Sequence, residues 1–191
     1  MRARRWLWVT IVVASAWLFL VYAPFYVLGA VVADLDLGGA GAWAAILAAY
    51  GLGGVAGGAV ALRWRPRRPL FTAALLFLLE APAPALLAVG VPVWLIAVAA
   101  ALGGASFGVF QALWDTSMQQ RVPPEALSRV SSFDWMGSLA LLPAGFALAG
   151  PAGEAFGVDA VLLFSAAVGA ALALAMAADP DIRRFRSGPS P

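Results

Sequence analysis

Six continuous apolar runs constrain this chain more than any other feature. Each is close to the ~20 residues needed to cross a hydrocarbon core. They occupy residues 6–28, 41–62, 70–89, 93–113, 131–148 and 158–178. Transmembrane strands alternate over about 10 residues, whereas these runs stay apolar over about twice that length. An amphipathic soluble helix carries a polar face, and these runs have none. With 63% of its 191 residues apolar and 12% charged, a water-soluble monomer has too little interior to hide so many apolar side chains. The expected architecture is an all-α integral-membrane bundle of six helices. It forms a single domain over residues 1–191, with a tail at 179–191.

The basic residues provide an independent check on the count. Arg2, Arg4 and Arg5 precede the first run, and Arg63, Arg65, Arg67 and Arg68 follow the second. Arg121 and Arg129 follow the fourth, and Arg183, Arg184 and Arg186 follow the sixth. Six spans place all four groups on one side, opposite Asp34, Asp36, Glu154 and Asp159. Cytoplasmic loops are enriched in Arg and Lys. The expectation is therefore a multi-pass protein of the cell membrane with both termini cytoplasmic. The start resembles a secretory leader, but its apolar run exceeds the ~7–15 residues of a leader core and is read as the first span. Trp6, Trp8, Trp43, Trp64, Trp94, Trp114 and Trp135 fall near run ends, the interfacial belt position. Trp17 alone sits mid-run, either packed inside the bundle or lining a cavity.

Absent residue types narrow the chemistry. The chain has no His, Cys or Lys. That excludes Ser-His-Asp and Cys-His nucleophilic sites, Schiff bases, disulfides, and zinc, haem or iron–sulfur centres held by His or Cys. No metal, cofactor or enzymatic activity is expected. The pI near 9.7 reflects the one-sided Arg groups rather than nucleic-acid binding. The cluster from Arg63 to Arg68 either serves topology alone or binds anionic lipid headgroups.

Helices associate in lipid through close backbone approach, not hydrophobicity. The second run carries Gly51, Gly53, Gly54, Gly57 and Gly58, with small-xxx-small spacing at Gly53/Gly57 and Gly54/Gly58. Gly104 and Gly108 repeat the device in the fourth run. Pro24, Pro82, Pro84 and Pro143 lie inside runs, where each removes a helix hydrogen bond and favours a kink.

Glu80 lies about 10 residues into the third run, ~15 Å deep at ~1.5 Å per residue. A charge there costs at least about 2.5–3.5 kcal/mol. Two readings stand side by side: a proton-relay site, or a protonated carboxyl bonded to a backbone carbonyl freed by Pro82 or Pro84. Asp134, at the start of the fifth run, can pair with Arg121 or Arg129. Gln111 can hydrogen-bond across helices, and Tyr22, Tyr26 and Tyr50 place hydroxyls within runs. Residues 121–129 read as a short surface helix, opened by Pro123-Pro124 and supported by a Glu125–Arg129 pair.

Several stretches resemble the major facilitator superfamily. They are Leu37-Gly38-Gly39 through Trp43 to Arg65-Pro66-Arg67-Arg68-Pro69-Leu70, Trp114-Asp115, Gln120-Arg121-Val122-Pro123-Pro124-Glu125, and Leu127 to Trp135. The likeness is to the second half of its drug- and siderophore-exporter-like branch and covers nearly the whole chain. Gly58, Arg63, Arg67 and Arg68 look like the family's cytoplasmic-loop gating motif, with Arg129 and Asp134 in the later loop. Leu62 stands where that motif usually has Asp. The resemblance implies helices seven to twelve of a transporter, arranged as two three-helix inverted repeats. The first and fourth spans would then line a cavity, making Trp17, Tyr22, Phe107 and Gln111 substrate contacts, with Glu80 more peripheral. The implied function is proton-coupled export of amphipathic small molecules by alternating access. Such a half needs a separate first half or a second copy; a truncated fragment or a non-transporting six-span scaffold is the alternative.

Overall fold

The structure is a computed structural model. It describes residues 5–64 and 66–186, without the side chains of residues 133, 134, 138 and 139. The described residues contain no strand. Six helices are long and apolar enough to cross a membrane: α1 (Arg5–Asp36), α2 (Ala40–Arg63), α3 (Pro69–Ala88), α4 (Val93–Arg121), α5 (Pro124–Phe156) and α6 (Val158–Ala178). A short α7 (Pro180–Arg184) follows. Leu52, Val55, Leu62 and Phe156 are each more than 70% exposed, a surface that suits lipid and not water.

Helix type changes locally beside prolines in two spans. In α1, Leu18–Tyr22 forms a π-helical stretch, and the Ala23 N–H donates to the Leu18 carbonyl. This wider turn directly precedes Pro24, which lacks an N–H and crowds the carbonyl one turn back. In α3, Phe77–Glu80 tightens to a 3-10 helix just before Pro82 and Pro84. Helix α5, in contrast, runs through Pro143 and Pro151 unbroken.

Helices α1, α4 and α5 extend well beyond the expected apolar runs, most of all between the fourth and fifth, while α6 matches its run. Residues 114–130 were expected to be a break containing a surface helix. Instead α4 continues to Arg121 and α5 starts at Pro124, leaving Val122 and Pro123 as the turn. Pro123 has extended backbone angles (φ −56°, ψ 141°) that start α5, and Pro124 occupies its first turn. Nothing from Glu125 to Val130 breaks a helix, so the helix that opens outside the apolar run continues into it. The Glu125–Arg129 pair does not form. The only ion pair among the described residues joins Arg5 and Asp179.

The tightest contact is between α2 and α4. A Cβ on Gly53 or Gly57 would strike the carbonyls of Ala101 and Ala105, and one on Gly104 or Gly108 would strike those of Tyr50 and Gly54. The small residues on both helices are therefore what allows the approach. Gly58 is different, because a Cβ there would meet nothing within 4 Å. Its backbone lies under Gly108, but its small size is not needed for this contact.

Buried side chains form two layers. One contains Leu7, Ile11, Leu70, Phe77, Phe110, Met118, Met176 and Ile182. The other contains Phe25, Leu28, Ile46, Leu87, Ile96 and Leu162. The first layer lies at the Arg-bearing end. There, Arg5 reaches Asp179 at 3.1 Å, and the Arg121 guanidinium donates to the Arg186 carbonyl at 2.7 Å. Arg68 shares a groove with Arg183 and Arg184. Members of all four Arg groups thus gather at one end of the bundle.

Candidate functional site

The cavity of interest begins where the π-helical stretch of α1 meets the middle of α4. Its volume is about 270 Å³. Trp17, Tyr22, Phe107 and Gln111 all line it, together with Tyr50 from α2, Phe77 from α3, and Trp135 and Leu142 from α5. The expected cavity residues from the first and fourth runs therefore face one space. Phe107 stacks on Trp17 at 5.7 Å between ring centroids, with a 22° interplanar angle. Phe77 and Tyr22 press on the same indole at 5.1 and 5.6 Å. Trp17 is 2% exposed, and its Nε1–H has no acceptor. Buried indole N–H groups normally find one, and this one finds none among the described residues.

Glu80 lies just behind the aromatic wall, on the 3-10 stretch of α3, and is 6% exposed. The Tyr50 hydroxyl donates to its Oε1 at 3.3 Å. Its Oε2 lies against Gly103 of α4, where a Cβ would stand 3.3 Å away. A crevice of about 10 Å³, near the minimum for one water, touches Glu80, Trp17, Tyr22 and Tyr50. The carboxyl thus adjoins the cavity through Tyr50, a link that run depth alone could not reveal. The Tyr50 phenol is one hydrogen-bond partner of this carboxyl.

Other expected partners differ. Gln111 bonds within its own helix, donating from Nε2 to Asp115 Oδ1 at 3.0 Å. The two residues are four apart and share a face, which made the local bond legible though it was not read. Arg63 ends α2, while Arg67 and Arg68 occupy the following turn. Arg129 is exposed on the first part of α5. None of these lines the cavity, and neither does Gly58. The side chain of Asp134 lies outside those described. Among the described residues, no group of three or more acids gathers to hold a metal.

A second, larger groove of about 500 Å³ lies between α1, α5 and α6. Phe19, Leu20, Leu148, Phe156 and Phe164 make it almost wholly apolar, and Ser165 is its only polar side chain. It offers no set of oriented polar groups of the kind a selective site needs, whereas the Trp17 cavity combines Thr10, Tyr22, Tyr50 and Gln111 with stacked rings.

No known protein family, curated protein or solved structure matches the chain. What can be said of function therefore rests on this geometry.

Proposed function

We propose that the chain is one half of a secondary active transporter of the major facilitator type, exporting amphipathic small molecules in exchange for protons. The reading places it in the cell membrane with both termini cytoplasmic. A separate six-span half or a second copy completes it. The observation that carries the proposal is the Trp17 cavity, an aromatic chamber with Tyr22, Tyr50 and Gln111 at its wall and a buried carboxyl directly behind.

The distribution of packing supports the need for a partner. In α2 and α5, 17% and 18% of the apolar window is buried, against 39–44% in the other four spans. Helix α2 packs on α4, and α5 packs on α1. The least covered helices therefore flank the two that contribute most of the candidate contacts. A second bundle seated there would enclose the cavity between halves, where transporters of this architecture bind substrate. Rocking of one bundle against the other would expose the chamber to each side in turn. Proton binding at Glu80, read through Tyr50, would bias one orientation.

Proteoliposomes tracking an amphipathic fluorescent dye under a pH gradient test this. They would hold the chain with itself or with any six-span partner that co-purifies. The expected result is pH-driven dye movement that Trp17→Ala and Phe107→Ala abolish and Glu80→Gln uncouples from the gradient. Movement indifferent to all three substitutions, or none in any pairing, overturns the reading.

A further inference from the structure

The Arg-bearing end of the bundle holds a second feature, separate from the cavity. Arg67 and Arg68 follow α2, while Arg183, Arg184 and Arg186 belong to the tail after α6. These two distant segments meet around two adjoining grooves. Arg68, Arg183 and Arg184 border one of about 350 Å³. Arg67, Arg68 and Arg186, with Phe71 and Thr72, border another of about 680 Å³. Arg68 belongs to both, so the grooves form one continuous basic surface. Among the described residues, no carboxylate lines either groove. Asp179, the acid closest in the chain to the α6 end, is already engaged by Arg5 at 3.1 Å.

Like charges gathered this way repel one another, yet the fold holds the tail in place. Ile182 is fully buried. Asp179 Oδ1 accepts from the Asp181 and Ile182 N–H groups at 2.8 and 3.3 Å, capping α7. The Arg121 guanidinium lies 5.2 Å from the centre of the Phe185 ring and donates to the Arg186 carbonyl. The start of α3 adds a further attraction for anions. No side chain caps it at Arg68, and its first-turn residues Phe71 and Thr72 line the groove, which brings the positive end of the helix dipole close to it. Thr72 supplies a hydroxyl and Phe71 an apolar wall beside it.

We propose that these grooves bind the phosphodiester headgroup of an anionic phospholipid, clamped between the start of α3 and the tail. The guanidiniums and the helix end recognise phosphate. Phe71 and the adjoining apolar face of α3 select a lipid over a soluble anion, because an acyl chain can lie along them. The inference does not depend on transport.

Native mass spectrometry of the purified chain, titrated with phosphatidylglycerol or phosphatidylcholine, tests it. The expected result is selective retention of phosphatidylglycerol. Each guanidinium removed should weaken retention about five-fold, so Arg68→Gln with Arg183→Gln should cost roughly twenty-five-fold by the same constant. The paired Lys variant should retain most of the binding, and its far-UV circular dichroism should match the parent. Arg129→Gln removes an exposed charge that lines neither groove and should leave retention unchanged. Equal retention of both lipids, an equal loss in Arg129→Gln, or displacement by equimolar inorganic phosphate would each overturn the proposal. Loss of binding in a folded Lys pair would do so too.

Discussion

The Tyr50 hydroxyl donates to Glu80 Oε1 across 3.3 Å, joining α2 to α3 behind the cavity wall. Hydrogen bonds between helices in lipid average only about 0.6 kcal/mol and reach ~1.7. Tyr50→Phe should therefore destabilise the bundle by about that much when Glu80 is present. In a Glu80→Ala background the same substitution should cost almost nothing. A double-mutant cycle on unfolding in detergent measures the difference. An equal cost in both backgrounds would show that the bond carries no energy. Glu80→Gln retains an acceptor for Tyr50 and should unfold close to the parent, so its effect on proton coupling can be read without loss of fold.

The α2–α4 contact predicts a sharp contrast among neighbouring glycines. Gly57→Ala drives a methyl into the Ala105 carbonyl, and Gly104→Ala drives one into that of Tyr50. Backbone cannot swing aside as a long side chain can, so each should cost about 1–3 kcal/mol as overpacking. Gly58→Ala meets open space and should instead gain roughly 0.5–1 kcal/mol, since Ala loses less freedom than Gly in a helix. Equilibrium unfolding of the three variants in one detergent decides the matter. A Gly58→Ala as damaging as Gly57→Ala would contradict the assigned helix face.

Helix number and charge placement were legible because each depends on local sequence. A bilayer sets span length, and Arg grouping follows the connections between spans. Trp17 stood out because it alone of the eight Trp sits in the middle of an apolar run, whereas Trp114 and Trp135, expected at the interface from their place near run ends, line the same cavity. Long-range pairings were less legible. Gly53/Gly57 and Gly54/Gly58 share the same spacing but sit on neighbouring helix stripes, and only the position of α4 tells them apart. The α4–α5 turn was misread because apolarity marks where a helix meets lipid, not where it ends. Gln111 was expected to hydrogen-bond across helices, although Asp115, four residues on, offered a nearer acceptor. The cap on α7 is legible too, since an Asp immediately before Pro180 is a helix-start signature.

Asp179 carries two separable roles. One oxygen caps α7 through the Asp181 and Ile182 N–H groups, and the other meets Arg5. Asn caps nearly as well as Asp, so Asp179→Asn should remove only the ion pair. Arg5 is 61% exposed, and such a half-solvated pair is worth about 0–1 kcal/mol. Asp179→Ala also removes the cap and should cost ~1 kcal/mol more. Amide hydrogen exchange across residues 179–186 reports both effects. Protection should fall slightly in Asp179→Asn and Arg5→Gln and clearly in Asp179→Ala. Equal loss in the Asn and Ala variants would show that the cap does not hold the tail.

The proposed orientation has a direct chemical test, because the chain contains no cysteine and one introduced thiol gives a single signal. Ala40 starts α2 at the end opposite the Arg groups, and Ser128 lies in the early part of α5 at the Arg-bearing end; both are exposed. A membrane-impermeant maleimide applied to intact cells should label Ala40→Cys and leave Ser128→Cys untouched until the cells are opened. That asymmetry follows from retention of Arg-rich connections on the cytoplasmic side. Labelling only Ser128→Cys would invert the protein and place the proposed lipid site on the other leaflet. Labelling both from outside would mean that α2, α3 and α4 together do not make three crossings. The transporter reading would then fall, because its two halves require the Arg-bearing loops to share one side.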